Sequence, residues 1–252
     1  MSYILLSMVL ALVITLVLKA HMKQKEHFYY NRVYTTDDIC VYLFSWKRVT
    51  PNALALYEEI AHVFPHVYFI NCDENTDVTH KIPRDKLIQL DDSHYFGGQF
   101  EAALRHCPSD KIYANVVGDV PVGSIDWEKL AKSALYSINT HNAGVFGPQA
   151  PNHPGLGTHL EGDYYEVANT DETIWLITPD VWGPYKNFSY KTHSHFGYGI
   201  DKFFCDRTWT LNKRTVRDNS ITVPSDNIKG YDNGTAMAQM RSFLSEIEAY
   251  AI

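Results

Sequence analysis

Lys111-Ile-Tyr-Ala-Asn-Val-Val-Gly-Asp-Val120 is the stretch that decides how this chain is read. An unbroken run of apolar and β-branched residues predicts a short strand buried on both faces. The strand delivers one carboxylate, Asp119, to its carboxyl end, and Pro121 prevents it from continuing. Gly118, just before the acid, lets another group come close to the backbone. Ligands of open α/β sheets bind beyond the carboxyl ends of the strands, so an acid released there is placed for function. An ordinary Asp in a strand-to-helix turn has the same local sequence. The neighbouring segments have to decide between the two.

Outward from this strand, apolar runs alternate with helical spacing. Ile39 to Ser45 predicts a compact strand, and Thr50-Pro51 opens a helix with Leu54, Tyr57, Ala61 and Phe64 on one face. Val67 to Asn71 and Lys86 to Leu90 predict two further strands. Ser93 is placed to cap a helix carrying Phe96, Phe100, Ala103, Leu104 and Cys107. After the central strand, Trp127, Leu130, Ala131, Ala134, Leu135 and Ile138 predict another helix. Strands alternating with crossover helices imply an α/β fold with a mainly parallel sheet and helices on both faces.

The second half is less regular. Ala143 to Gly147 and Thr173 to Thr178 predict strands, separated by a long polar run from Pro148 to about Glu172. Runs of that length in compact domains are usually functional. A glycine-rich turn, His195-Phe-Gly-Tyr-Gly-Ile-Asp201, opens a helix through Leu211; a strand pair spans Val216 to Val223, and the tail from Thr235 to Ala249 is helical. Residues 39–252 are therefore expected to form a single domain, with halves at 39–147 and 148–252.

The segment before that domain has a different character. Tyr3 to Leu18 carries no charge and, extended to residues 1–20, predicts one N-terminal transmembrane anchor helix, with 21–38 as linker. Lys19, Lys23 and Lys25 follow it directly, which by the charge-bias rule puts the domain in the cytoplasm. The sequons at Asn187 and Asn233 keep a lumenal orientation open. Net charge is −7 with no basic block, which excludes a nucleic-acid surface. The scattered cysteines Cys40, Cys72, Cys107 and Cys205 form no CxxC motif and read as buried free thiols.

Acids recur where the strands end: Asp73, Asp91-Asp92 and Asp119. A parallel sheet brings these ends to one edge, and like charges in one crevice call for a cation or hydrogen-bond donors. Mg²⁺ or Mn²⁺ carrying a diphosphate answers that need with one or two carboxylates. Turn chemistry or helix capping is the plainer alternative for Asp73 and Asp91.

Asp92-Ser-His-Tyr-Phe-Gly-Gly-Gln-Phe-Glu-Ala-Ala-Leu, followed by Lys111 to Asp119, resembles the nucleotide-sugar core of GT-A glycosyltransferases of the family 2-like kind. The likeness covers roughly Ile39 to Gly147 in strand order. It resumes at Gly197-Tyr-Gly-Ile-Asp201, similar to the turn that bears the catalytic base of inverting members. The resemblance implies a hexosyltransferase-type enzyme that takes a nucleotide-sugar donor, a UDP-sugar first, and a glycan, glycoprotein or glycolipid acceptor. Asp73, Asp91 and Gly98 would then bind the nucleoside, Asp119 the metal and diphosphate, and Asp201 would be the general base. Where the family has two acids in its metal motif, this chain has Gly118-Asp119-Val120. Metal dependence is thus open, with His195 or His193 as the candidate second ligand. Trp175, Trp182 and Tyr185 are candidates to floor an acceptor site.

A sugar- or nucleotide-binding module without turnover is the alternative, and the missing acid favours it. A nucleotidyltransferase would want a glycine-rich phosphate loop after the first strand, and Ser45-Trp-Lys-Arg-Val-Thr50 has none.

Overall fold

Ile39-Cys-Val-Tyr-Leu-Phe-Ser45 forms strand β1 (Ile39–Ser45), every residue of it buried. Alternation sorts its side chains: Val41 and Leu43 enter one core, while Cys40, Tyr42 and Phe44 enter another. This is what a strand covered on both sides requires. The computed structural model describes residues 32–150, 156–224 and 232–250. Tyr34–Ile252 makes one compact unit. The expected anchor at 1–20 lies outside the described residues, among which no helix is long and apolar enough to cross a membrane.

The chain continues through α1 (Thr50–Ala61), β2 (His66–Asn71), β3 (Leu87–Gln89), α2 (Phe96–His106), β4 (Ile112–Val117), α3 (Trp127–His141) and β5 (Ala143–Gln149). A hairpin follows, β6 (Thr158–Glu161) and β7 (Tyr164–Glu166), inside the run expected to be loop. Next come β8 (Ile174–Ile177), the short helices α4 (Pro179–Trp182) and α5 (Tyr190–His193), α6 (Ile200–Thr210), β9 (Arg214–Thr222) and α7 (Asn233–Tyr250). The strand pair expected near Val216 is the single strand β9.

All nine strands join one sheet in the order β3-β2-β1-β4-β8-β5-β9-β7-β6. The first four are parallel, but β8 runs antiparallel to both β4 and β5, and β7 antiparallel to β9. The sheet is thus mixed and not mainly parallel. The physical reason is the connection: among the described residues between β5 and β8 there is a hairpin and no crossover helix to carry the chain back to the amino edge. A parallel return needs a dozen or more residues, usually as a helix. Without one, β8 starts where β5 ended and runs back.

Helices α1 and α3 cover one face through Leu54, Leu56, Ile60, Leu130, Ala134 and Ile138. The other face is covered through Phe100, Leu104, Trp182, Tyr190, Phe204 and Phe243. Trp182 and Tyr185, candidates for an acceptor floor, are core residues at 0% and 2% exposure, and so is Trp175. All four cysteines are buried and form no disulfide.

One polar group sits in the middle of this apolar sheet. Asn115 on β4 is fully buried; its Nδ2 donates to the Glu172 carbonyl at 2.7 Å, and its Oδ1 accepts from Tyr113 Oη (3.2 Å) and Trp175 Nε1. Replacing Asn115 by Leu leaves three buried polar groups without a partner. The expected cost is at least about 2 kcal/mol, read as a fall in Tm of roughly 5 °C or more for a chain of this size. An unchanged melting curve would show that the network is dispensable.

Candidate functional site

The carboxyl ends of β1, β2 and β4 open onto one edge of the sheet, and the amino end of β8 meets them there. Four turns lie at this edge: 45–47 after β1, 71–76 after β2, 89–95 between β3 and α2, and 118–121 after β4; Asp92 joins three of them through Lys47 and the Glu74 N–H. In the loop before β8, Asn169 bonds Asp201 at the start of α6.

Asp119 leaves β4 in a turn held from two directions. Gly118 N–H donates to the Phe44 carbonyl at 2.8 Å, and Asn52 Nδ2 donates to both the Gly118 and Val120 carbonyls at 2.7 Å. A Cβ on Gly118 would stand 2.6 Å from the Phe44 oxygen, so the glycine serves the chain's own packing and not the approach of a ligand. Asn52 had no signal in the sequence beyond its place in a helix. It fixes the turn that presents Asp119, whose Oδ1 is enclosed.

Asp201 is the second residue of α6; the cap position belongs to Gly199, at φ 90°. Asp201 therefore does not occupy the cap position itself. Asn169 Nδ2 donates to Asp201 Oδ2 at 3.0 Å. Gly197 and Gly199 both take left-handed backbone and abut Phe96 and Met240, so they shape the turn instead of admitting substrate.

Glu172 escaped the sequence reading, hidden in a polar run. Its carboxyl accepts the Asp201 backbone N–H, and its Oε2 is enclosed without a hydrogen-bond partner among the described residues. Enclosure, and then the nearby Asp201 and Asp171 charges, push its pKa well above the usual carboxylate range. Val117 N–H donates to the Thr173 carbonyl at 2.9 Å, extending the β4–β8 ladder as far as Glu172's neighbour. Asp201 is thus tied through Glu172 to the amino end of β8, beside the end of β4.

The other predicted acids are engaged locally. Asp73 accepts from Asn75 N–H at 3.0 Å and from the Thr76 hydroxyl. Asp91 accepts from Ser93 N–H at 2.8 Å, the Ser93 hydroxyl and His94, which hold its pKa at about 2. Ser93 therefore serves this turn and does not cap α2, whose cap position is Tyr95. Asp92 pairs with Lys47 at 3.0 Å and accepts Glu74 N–H. A Cβ on Gly98 would meet the His94 ring at 2.7 Å.

His195 packs against Tyr95 and Phe196 with ring centroids at 4.6 and 5.0 Å, and its carbonyl receives Gly97 N–H. Partial burial, then the Lys191 charge, lower its pKa, so it is neutral at pH 7. His193 ends α5 and packs on Phe188. The two histidines are thus not neighbours on an extended face. Among the described residues no group of three or more His, Cys, Asp and Glu is placed to hold a metal ion.

No protein-family model matches the chain, and no curated protein does. Among solved structures it is similar to a mycobacterial protein, with a TM-score of 0.52 at 10% identity over 88% of this chain and 80% of the other. It is also similar to GalNAc-T7 in complex with UDP, GalNAc and Mn²⁺, with a TM-score of 0.50 at 9% identity. That likeness covers 84% of this chain and 49% of GalNAc-T7, so the chain spans about half of it. The chain has a GT-A-like fold, the fold of these solved structures.

The raised Glu172 pKa has a stability consequence of fixed sign. Between the unfolded carboxyl value, about 4.3, and the folded one, the native state holds a proton that the unfolded state has lost. Stability therefore falls as pH rises through that window. Glu172→Gln removes this slope. Its Tm relative to the parent should climb between pH 4.5 and pH 8, and a gap constant with pH would refute the assignment.

Proposed function

We propose that this chain is a glycosyltransferase moving a sugar from a nucleoside-diphosphate donor, a UDP-sugar, to a hydroxyl of a glycan, protein or lipid acceptor. The observation that carries the reading is Asp201: a carboxylate two residues past the Gly199 cap position, bonded by Asn169 and backed by Glu172 just before β8. The UDP, GalNAc and Mn²⁺ bound in GalNAc-T7 support a donor of this class for a chain of the same fold.

In an inverting transfer the acceptor hydroxyl gives its proton to Asp201 as its oxygen bonds to the anomeric carbon. The bond from that carbon to the diphosphate breaks, and the diphosphate leaves with the electron pair. Asn169 orients the base through its amide N–H. Enclosure and the neighbouring Asp201 and Asp171 charges raise the Glu172 pKa, which favours its neutral form beside Asp201. A divalent metal bound with the donor would be held by Asp119, with His195 as second candidate ligand, and supplies positive charge for the leaving group. Residues 3–18 would hold the enzyme at a membrane, with Lys19, Lys23 and Lys25 on the cytoplasmic side.

The test is a screen of nucleotide sugars with the full chain in detergent, with and without Mn²⁺, following transfer and hydrolysis. Binding without turnover of any donor would favour a non-catalytic module. General-base contributions run to about a hundred- to ten-thousand-fold, so Asp201→Asn should lose transfer on that scale while keeping donor affinity and Tm. Near-normal transfer by the folded variant would remove Asp201 from the chemistry.

A further inference from the structure

We infer that the groove between α3 and the β6–β7 hairpin is a saccharide-binding site, separate from the edge proposed for transfer. The inference goes beyond the transferase reading and needs no turnover. The groove has a volume of about 650 Å³, within the range of ligand sites, and is open to solvent.

Its first wall is one face of α3 and its cap. Asp126, Lys129, Ser133 and Tyr136 follow at steps of three, four and three residues, the spacing of a single helical stripe. The second wall is the hairpin turn, Gly162 to Tyr164, with Asp218 and Ser220 of β9. Two bonds fix the walls to each other: Ser133 Oγ donates to Asp218 Oδ2 at 2.6 Å, and Lys129 Nζ donates to the Ser220 carbonyl at 3.0 Å. Their separation is thus set before any ligand arrives. β9 stands three strands from β4 in the sheet, roughly 14 Å at the usual strand spacing, which keeps the groove apart from Asp119.

The lining selects the ligand's chemistry. Both ammonium groups are engaged, Lys129 with Ser220 and Lys132 with Glu128 at 3.2 Å, so an anion would meet carboxylates and no spare cation. Asp126 accepts the Lys129 N–H at 2.9 Å, and Asp218 accepts the Ser220 N–H at 2.8 Å besides Ser133. Asp163 differs. Its backbone carbonyl accepts the Asn219 N–H, but its carboxylate makes no hydrogen bond or ion pair among the described residues.

Tyr136 is 40% exposed, yet its ring is held: the hydroxyl donates to Glu161, and the Tyr164 and His141 rings lie 5.3 and 5.4 Å away. A fixed aromatic face costs little conformational entropy to cover. A carboxylate free to accept two hydroxyls, beside a ring that receives a C–H face, matches a neutral pyranose chain. A single cationic side chain would use Asp163 and leave most of the groove empty.

The experiment is saturation-transfer NMR, followed by titration, on the full chain in a detergent without a sugar headgroup. The probes are neutral tetrasaccharides of glucose, galactose, mannose and N-acetylglucosamine at millimolar concentration, and tetralysine. At least one tetrasaccharide should bind, and saturating UDP should not displace it. Asp163→Ala should weaken it about tenfold or more, the scale of hydrogen bonds to a charged group. Tyr136→Ala should weaken it about fivefold or more. Asp163→Ala should keep the parent Tm, because its side chain bonds nothing in the fold, and it stays decisive if Tyr136→Ala does not fold. Binding of no tetrasaccharide, binding of tetralysine alone, displacement by UDP, or unchanged affinity in Asp163→Ala overturns the inference and leaves the transferase reading standing. Saccharide binding at the groove without turnover of any donor does the reverse.

Discussion

The antiparallel ladder between β4 and β8 is the constraint on which the site depends. A strand inserted against the direction of its neighbours brings its amino end to the edge where they end. Thr173 therefore meets Val117 at that edge, with Asp171 and Glu172 just before it in the chain, a proximity that sequence separation alone would not suggest. The register is fixed from within by Asn115, which bonds the Glu172 carbonyl on one side and the Trp175 indole on the other. Few buried polar groups are as well satisfied. A slip by one residue would break these bonds and turn every β8 side chain to the wrong face.

That edge concentrates negative charge, and the chain disposes of it in three ways. Asp73, Asp91 and Asp171 are absorbed by backbone and hydroxyl donors within their own turns. Asp92 is paired with Lys47. Glu172 has its pKa raised by enclosure and by its acidic neighbours, which favours the neutral form. What stays available for chemistry is a small subset of the acids present, and the selection is made by hydrogen bonding more than by position.

The first half of the fold was legible because each strand is a continuous apolar run and each helix repeats its apolar residues at helical spacing. Both signals are local. The direction of β8 was not legible, since four apolar residues read the same in either sense and only the missing crossover betrays it. The hairpin β6–β7 escaped because its residues are partly or fully exposed and give no apolar alternation. At the site, Asp119 and Asp201 stood out by their place after a strand and a glycine turn. Asn52 and Glu172 did not, because what distinguishes them is a partner brought from elsewhere in the chain. Gly118 shows the same limit: a glycine needed for packing and one needed for a ligand share a sequence.

The order of the sheet places β3 at one margin and β6 at the other. β3 is three residues long, and β6 is four, Thr-His-Leu-Glu, with three of them exposed and one of those acidic. Long flat margins present rows of unpaired backbone groups on which a second chain can polymerise. Here the longest strands lie inside, and the outermost offer a foreign strand little to grip. A protein with so apolar a centre is in this way guarded against edge-to-edge aggregation by the shortness of its own borders.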